Sequence, residues 1–181
     1  MKLTQTWTAV AMAVGIVTLA TAPAAQKPGA APVIVLETAK GVIEIETFPA
    51  EAPKTVARML ELVKKNFYNG QRFHRVEPLL IQIGDPSSRD MSLEAWWGRK
   101  PGTGKPIGVA EITKTRRHVA GAVGMAHAGD PKGADTQFYI LLRAAPSLDG
   151  KFTVFGRVSS GLDVAQKIRR TDMLKRASVR E

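Results

Sequence analysis

Residues 73–86 read Phe73-His74-Arg75-Val76-Glu77-Pro78-Leu79-Leu80-Ile81-Gln82-Ile83-Gly84-Asp85-Pro86. Two short apolar runs, split by a proline and closed by Gly-Asp-Pro, are too brief for helices. They read as consecutive strands, Phe73–Glu77 and Leu79–Ile83. Period-2 alternation places Phe73 and Arg75 on one face. An arginine does not shed its proton, so on a largely apolar strand it needs a partner, and Glu77 is the nearest candidate. The same grain of short strands runs through the chain. Val33–Thr38, the turn Ala39-Lys40-Gly41 and Val42–Glu46 make a hairpin, and 119–126, 137–142 and 153–158 supply further strands. Only two segments have helical spacing. Residues 53–65 begin on Pro53 and carry Val56, Met59, Leu60 and Val63 at i, i+3, i+4, i+7; residues 162–168 align Leu162, Ala165 and Ile168. Many strands with two helices point to a mainly β, closed structure rather than alternating βαβ units. Residues 84–106, rich in Gly, Pro, Ser and basic side chains, read as a long loop. Gly98 to Lys105 superficially suggests a phosphate loop, but the glycine spacing is wrong and Pro106 stands where Ser or Thr would hold magnesium.

The 181 residues suffice for one domain with a proper core. The first stretch reads as separate from it. Lys2, an uncharged apolar run from Trp7 to Ala20, and Ala22-Pro23-Ala24 have the layout of a secretory signal peptide cut near Ala24, with 25–32 a linker and 33–181 the domain ending in a basic tail. The run is shorter than the roughly 20 apolar residues of a transmembrane helix, so no stable membrane insertion is expected after cleavage. Zero cysteine removes disulfides, thiol catalysis and thiolate metal sites, and suits an oxidising compartment. The formal charge is +10, from 26 Lys+Arg against 16 Asp+Glu. These residues are scattered apart from a C-terminal cluster starting at Lys167, and no stacking aromatics accompany them, so a soluble basic protein is expected rather than a nucleic-acid binder.

Four blocks stand in order: Phe73 to Pro86, Met125-Ala126-His127-Ala128, Gln137-Phe138-Tyr139-Ile140, and Leu148-Asp149-Gly150-Lys151-Phe152 through Val158. Together they resemble the cyclophilin family of peptidyl-prolyl isomerases, over roughly residues 33–170. The resemblance implies a closed eight-stranded antiparallel β-barrel capped by two α-helices. It implies acceleration of rotation about X–Pro bonds in proline-containing peptides and unfolded proteins, by a cofactor-free monomer. Arg75 matches the family's catalytic donor. Gln82 and Gln137 match polar positions near the substrate backbone. Leu80, Tyr139 and Leu148 match the proline slot and Leu79 an adjoining position. Ala126 and His127 match the edge that holds the peptide through main-chain contacts, and Phe152 matches a ring at the rim. Two departures stand out. The stretch after Pro78 is one residue shorter than is common in the family, and Ser147 replaces a bulky rim aromatic found in many members.

The chemistry asks for little machinery. The barrier to X–Pro rotation, about 18–20 kcal/mol, is amide resonance, so no covalent bond breaks and no nucleophile, metal or cofactor is required. An apolar slot, polar groups for the flanking backbone and a donor favouring the twisted amide suffice. His74 and His118 therefore read as structural, since no general base is needed. A rival reading keeps the same fold as a peptide-binding module or chaperone with little catalysis. A third, a basic nucleic-acid or envelope-surface binder, rests on charge alone. The N-terminal layout adds an expected location in the periplasm or outside the cell.

Overall fold

The computed structural model describes residues 31–100 and 102–181. The expected signal peptide and most of the linker lie outside them. Eight strands form one antiparallel sheet: β1 (Val33–Thr38), β2 (Gly41–Thr47), β3 (Arg75–Val76), β4 (Leu80–Ile83), β5 (Ala122–Met125), β6 (Phe138–Leu141), β7 (Val154–Ser160) and β8 (Leu174–Arg180). Their spatial order is β3-β4-β6-β5-β7-β2-β1-β8. The sheet curls until its two edges face each other, but the ladder stays open between β3 and β8. The chain just before β3 crosses the gap through an isolated bridge from Arg72 to Met173, with Gly70 N–H on Leu174 O at 2.8 Å and Phe73 N–H on Asp172 O at 3.0 Å. The expected eight-stranded barrel with two helices is thus present with partial rather than complete ladder closure.

Alternation sorts the side chains into two apolar clusters. Ile34, Leu36, Ile43, Ile45, Ile81, Ile83, Val123, Phe138, Ile140 and Phe155 fill the main core. The opposite faces of β4, β5, β6 and β7 contribute Leu80, Ala122, Tyr139, Leu141 and Val154 to a second cluster, completed by Phe48 and Ala145. β4 is consequently buried on both faces, which is why Leu80, Ile81 and Ile83 are all apolar and Gln82 is the strand's one polar residue. The helices α1 (Pro53–Lys64) and α2 (Leu162–Lys167) pack into the main core through Val56, Met59, Leu62, Val63 and Ala165. Leu62, rather than Leu60, takes the fully buried position on α1.

The basic C-terminal stretch expected as a tail includes strand β8. It pairs with β1, where a register shift at Glu37/Thr38 breaks its alternation and hides it in the sequence. Its arginines face acidic neighbours, Arg176 on Glu37 at 3.0 Å and Arg180 on Glu44 at 2.7 Å.

Pro53 opens α1, yet Ala52 offers no side-chain cap. The cap comes from far along the chain: Glu111 accepts the N–H of Lys54 at 2.9 Å and of Thr55 at 2.8 Å. A carboxylate there satisfies two orphan donors and meets the positive end of the helix dipole. Glu111→Ala should lower unfolding stability by about 1 kcal/mol in urea titration, with the slope unchanged.

Candidate functional site

Register assembles the site. Arg75 lies opposite Gln82, Gln82 opposite Tyr139, and Tyr139 opposite Gly124, so one row of side chains crosses β3, β4, β6 and β5 on the face away from the main core. Leu80 and Leu141 form the neighbouring row. Leu80 and Tyr139 make a buried floor, with Leu79, Ala126, Leu148 and Phe152 packed around it and partly exposed. The structure thus brings the aliphatic and aromatic residues named from the sequence into one apolar cluster with a partly exposed margin.

The polar side of the site is a chain of hydrogen bonds. Arg75 is 49 % exposed; its Nε and NH2 donate to Glu77 at 2.7 and 2.9 Å, and its NH1 donates to Gln82 Oε1 at 3.3 Å. The two partners that the sequence leaves open for this arginine, an ion pair and the site, are thus both occupied. The guanidinium holds the Glu77 carboxyl below its ordinary range. At this exposure the ion pair is worth little as stability and serves to orient the guanidinium. Gln82 Nε2 donates to Gln137 Oε1 at 2.8 Å, and Gln137 Nε2 donates to the carbonyls of Lys100 at 3.0 Å and Gly98 at 3.3 Å. A cleft of about 370 Å³ adjoins these glutamines, bounded by Ala126 and His127 on one side and by Gly98, Arg99 and Lys100 on the other. His127 stacks on Phe152 with ring centroids 4.4 Å apart, and its Nε2 lies 3.1 Å from the Lys151 carbonyl. Ser147, the sequence's departure from a rim aromatic, is exposed.

Behind the slot, Tyr139 is tied down from the protein side. Its hydroxyl meets His118 Nε2 at 2.8 Å, and His118 Nδ1 meets Asp149 Oδ1 at 3.0 Å. A carboxylate on Nδ1 fixes the proton there, leaving Nε2 to accept from the tyrosine. Burial pushes the Tyr139 hydroxyl further up, so it stays a donor. The arrangement needs Gly124: a Cβ at that position would stand 2.3 Å from the hydroxyl oxygen. Three residues therefore matter that sequence reasoning missed or set aside: Gly124, His118 and Asp149. Only His118 carried a signal, as a histidine close before a strand, and nothing local showed its partners.

Asp149 accepts from the His118 backbone N–H at 2.8 Å and from its ring, and Arg117 lies at 3.1 Å; these bonds depress its carboxyl from 3.8 to about 2, His118 contributing most. A carboxyl whose folded pKa is depressed stabilises the fold above its unfolded value and loses that contribution as pH falls. Thermal unfolding should accordingly show a loss of stability between pH 4 and pH 2, and Asp149→Asn should flatten that limb.

Residues 33–180 match the family described as cyclophilin type peptidyl-prolyl cis-trans isomerase/CLD. The peptidyl-prolyl cis-trans isomerase CYP18-2 of Arabidopsis thaliana is 36% identical over 146 residues, 80% of this chain and 84% of the relative. A probable peptidyl-prolyl cis-trans isomerase of Brucella abortus is 35% identical over 150 residues, 81% of this chain and 76% of the relative. Among solved structures, the cyclophilin AquaCyp293 of Hirschia baltica superposes with a TM-score of 0.62 at 25% identity, covering 81% of this chain and 73% of that one. A Cryptosporidium parvum cyclophilin type isomerase, crystallised in the presence of the dipeptide Ala-Pro, shares the fold with a TM-score of 0.66 at 22% identity, covering 82% and 99%. The curled antiparallel sheet, the apolar slot and these matches agree: the chain belongs to the cyclophilin-type peptidyl-prolyl cis-trans isomerase family.

Proposed function

We propose that this chain is an exported peptidyl-prolyl cis-trans isomerase in which Arg75 is the catalytic residue. The observation that carries the reading is the placement of the Arg75 guanidinium, held by Glu77 and Gln82, in register beside the slot floored by Leu80 and Tyr139. The slot takes the pyrrolidine ring, whose burial is worth roughly 2 kcal/mol and fixes the proline end of the bond. Gln82 and Gln137, with the backbone edge at Ala126 and His127, hold the flanking peptide. The acyl side then turns while the proline side is kept still.

As the amide twists, the nitrogen lone pair leaves conjugation and the nitrogen becomes pyramidal. It is then a far better hydrogen-bond acceptor than in the planar amide. A guanidinium aimed at that atom binds the twisted form more tightly than either planar isomer, and this difference is what lowers the barrier. No proton changes hands, so the reaction requires neither a base nor a nucleophile. Arg75→Ala should slow isomerisation of a short X–Pro peptide about a hundredfold, or ~2.7 kcal/mol, with a smaller effect on peptide binding. Wild-type turnover in that variant removes Arg75 from the mechanism. Slow turnover by the unmodified chain would instead favour the peptide-binding or chaperone reading, to which the shortened Leu79-Leu80 segment points.

Export to the periplasm or beyond rests on the N-terminal sequence, with Lys2, the apolar run and Ala22-Pro23-Ala24 as its support. Among the described residues no helix is long and apolar enough to cross a membrane. Intact mass of the protein recovered from its native host should correspond to loss of about 24 residues. Full-length protein in the cytosol defeats the export reading.

A further inference from the structure

The hydrogen-bond chain that ends on Arg75 has a direction set at both ends. Arginine only donates, and the carbonyls of Gly98 and Lys100 only accept. Two glutamine amides bridging them have a single orientation that makes every bond: both NH2 groups toward the loop and both oxygens toward Arg75. If the loop carbonyls moved away, the Gln137 amide would be free to turn, Gln82 would follow, and Arg75 would lose the acceptor on NH1. Correct aim of the guanidinium thus depends, beside its ion pair with Glu77, on where the carbonyls of Gly98 and Lys100 lie.

Gly98 and Thr103 are each held by a buried carboxylate. At the first, Asp85, 1 % exposed, accepts the Gly98 N–H at 2.6 Å while also capping the short 3₁₀ turn at Ser87. At the second, Asp135, 4 % exposed, accepts the Thr103 N–H at 2.6 Å and the Thr103 hydroxyl at 2.8 Å. Arg58, from α1, reaches the same carboxylate at 3.0 Å and the Thr103 hydroxyl at 2.7 Å. Gly102 packs on the segment just before β6 that carries Gln137: a Cβ on Gly102 would fall 1.7 Å from Thr136 Oγ1, so only glycine fits. Asp135 is two residues from Gln137 in sequence, so one short segment supplies both the relay glutamine and the anchor for its carbonyl partners. A buried carboxylate shared by an arginine and a backbone N–H is costly unless every partner is in place, which makes the arrangement stiff.

We propose that Asp135 is a positioning residue for isomerisation. It acts through Thr103 on the carbonyls of Gly98 and Lys100, and through Gln137 and Gln82 on the guanidinium of Arg75. The proposal rests on the isomerase reading above. It makes Arg58 on α1 and Thr103 part of the apparatus that aims Arg75.

The test uses the full chain, with kcat and KM for an X–Pro peptide and the thermal midpoint measured for each variant. Thr103→Ala removes the hydroxyl between Arg58 and Asp135 and should lower kcat roughly fivefold with KM within about twofold, since aim is disturbed and the slot is not. Thr103→Ser should keep wild-type kcat. Asp135→Asn should lower kcat about tenfold. In a Gln137→Ala background, both substitutions should cost no further kcat while their effects on the midpoint remain, because the relay is already cut. If Asp135→Asn does not fold, the Thr103 pair and its cycle with Gln137 decide alone. Retention of kcat in Thr103→Ala, or losses that multiply in the Gln137→Ala background, overturns the proposal while leaving Arg75→Ala to uphold the isomerase. An unmodified chain without isomerase activity overturns both.

Discussion

The antiparallel register of β3, β4, β6 and β5 is the constraint on which the rest depends. It aligns Arg75, Gln82, Tyr139 and Gly124 in one cross-strand row on the face turned from the core. A slip of one residue anywhere in this set would exchange Gln82 for Ile81 or Tyr139 for Phe138, placing core aliphatics on the site and polar groups inside. The main core forbids that slip, because Ile81, Ile83, Phe138 and Ile140 are all buried in it. Packing on the inside of the sheet therefore determines geometry on the outside. The same hydrophobic burial that stabilises the fold sets this cross-strand row without a separate device.

Within the row the parts are held by different means. Tyr139 is wedged from behind by His118 and needs the missing side chain of Gly124. The slot floor is therefore as rigid as the core, in keeping with its near-complete burial. Arg75 has no such support. It sits on a two-residue edge strand with half its side chain in solvent, where rotamer freedom is greatest. Its definition comes from Glu77 and from the glutamine relay, which ends on the carbonyls of Gly98 and Lys100.

Much of this was legible in the sequence. The hairpin 33–47, the amphipathic stretch from Pro53 and the alternation in the Gln137 block each carried its own local signal, and the structure places them with boundary shifts of one or two residues. Arg75, Gln82, Gln137, Tyr139 and the apolar candidates were named because family resemblance marks positions; register aligns Arg75, Gln82 and Tyr139, a hydrogen bond joins Gln137 to them, and Leu148 and Phe152 pack into the second cluster. What escaped depended on partners far along the chain. Strand β8 was hidden by a register shift and by arginines whose acidic partners lie on β1 and β2. The segment 84–106 read as a plain loop, yet Asp85 and Asp90 cap two 3₁₀ turns in it, Pro86–Arg89 and Met91–Trp96, and Trp97 closes back on Ser87 and Asp90. Glu111 caps a helix more than fifty residues earlier, and no local pattern reveals such a bond.

The division between a rigid slot and a tethered donor has a chemical consequence. A guanidinium free to follow the amide would bond the planar and the twisted forms almost equally, and uniform binding does not lower the barrier between them. A guanidinium held at one place relative to the slot bonds well only to the nitrogen that has become pyramidal there. On the proposed reading of Arg75 as the donor, selectivity for the twisted amide lies in the stiffness of the tether more than in the charge itself. The charge would be the same in any rotamer of Arg75, whereas the bond from NH1 to Gln82 exists only while the amides of Gln82 and Gln137 keep their single allowed orientation. On the proposed isomerase reading, a basic side chain on an edge strand becomes a discriminating donor through two amides and two backbone carbonyls, and the aim of that donor then rests partly on the loop that supplies those carbonyls.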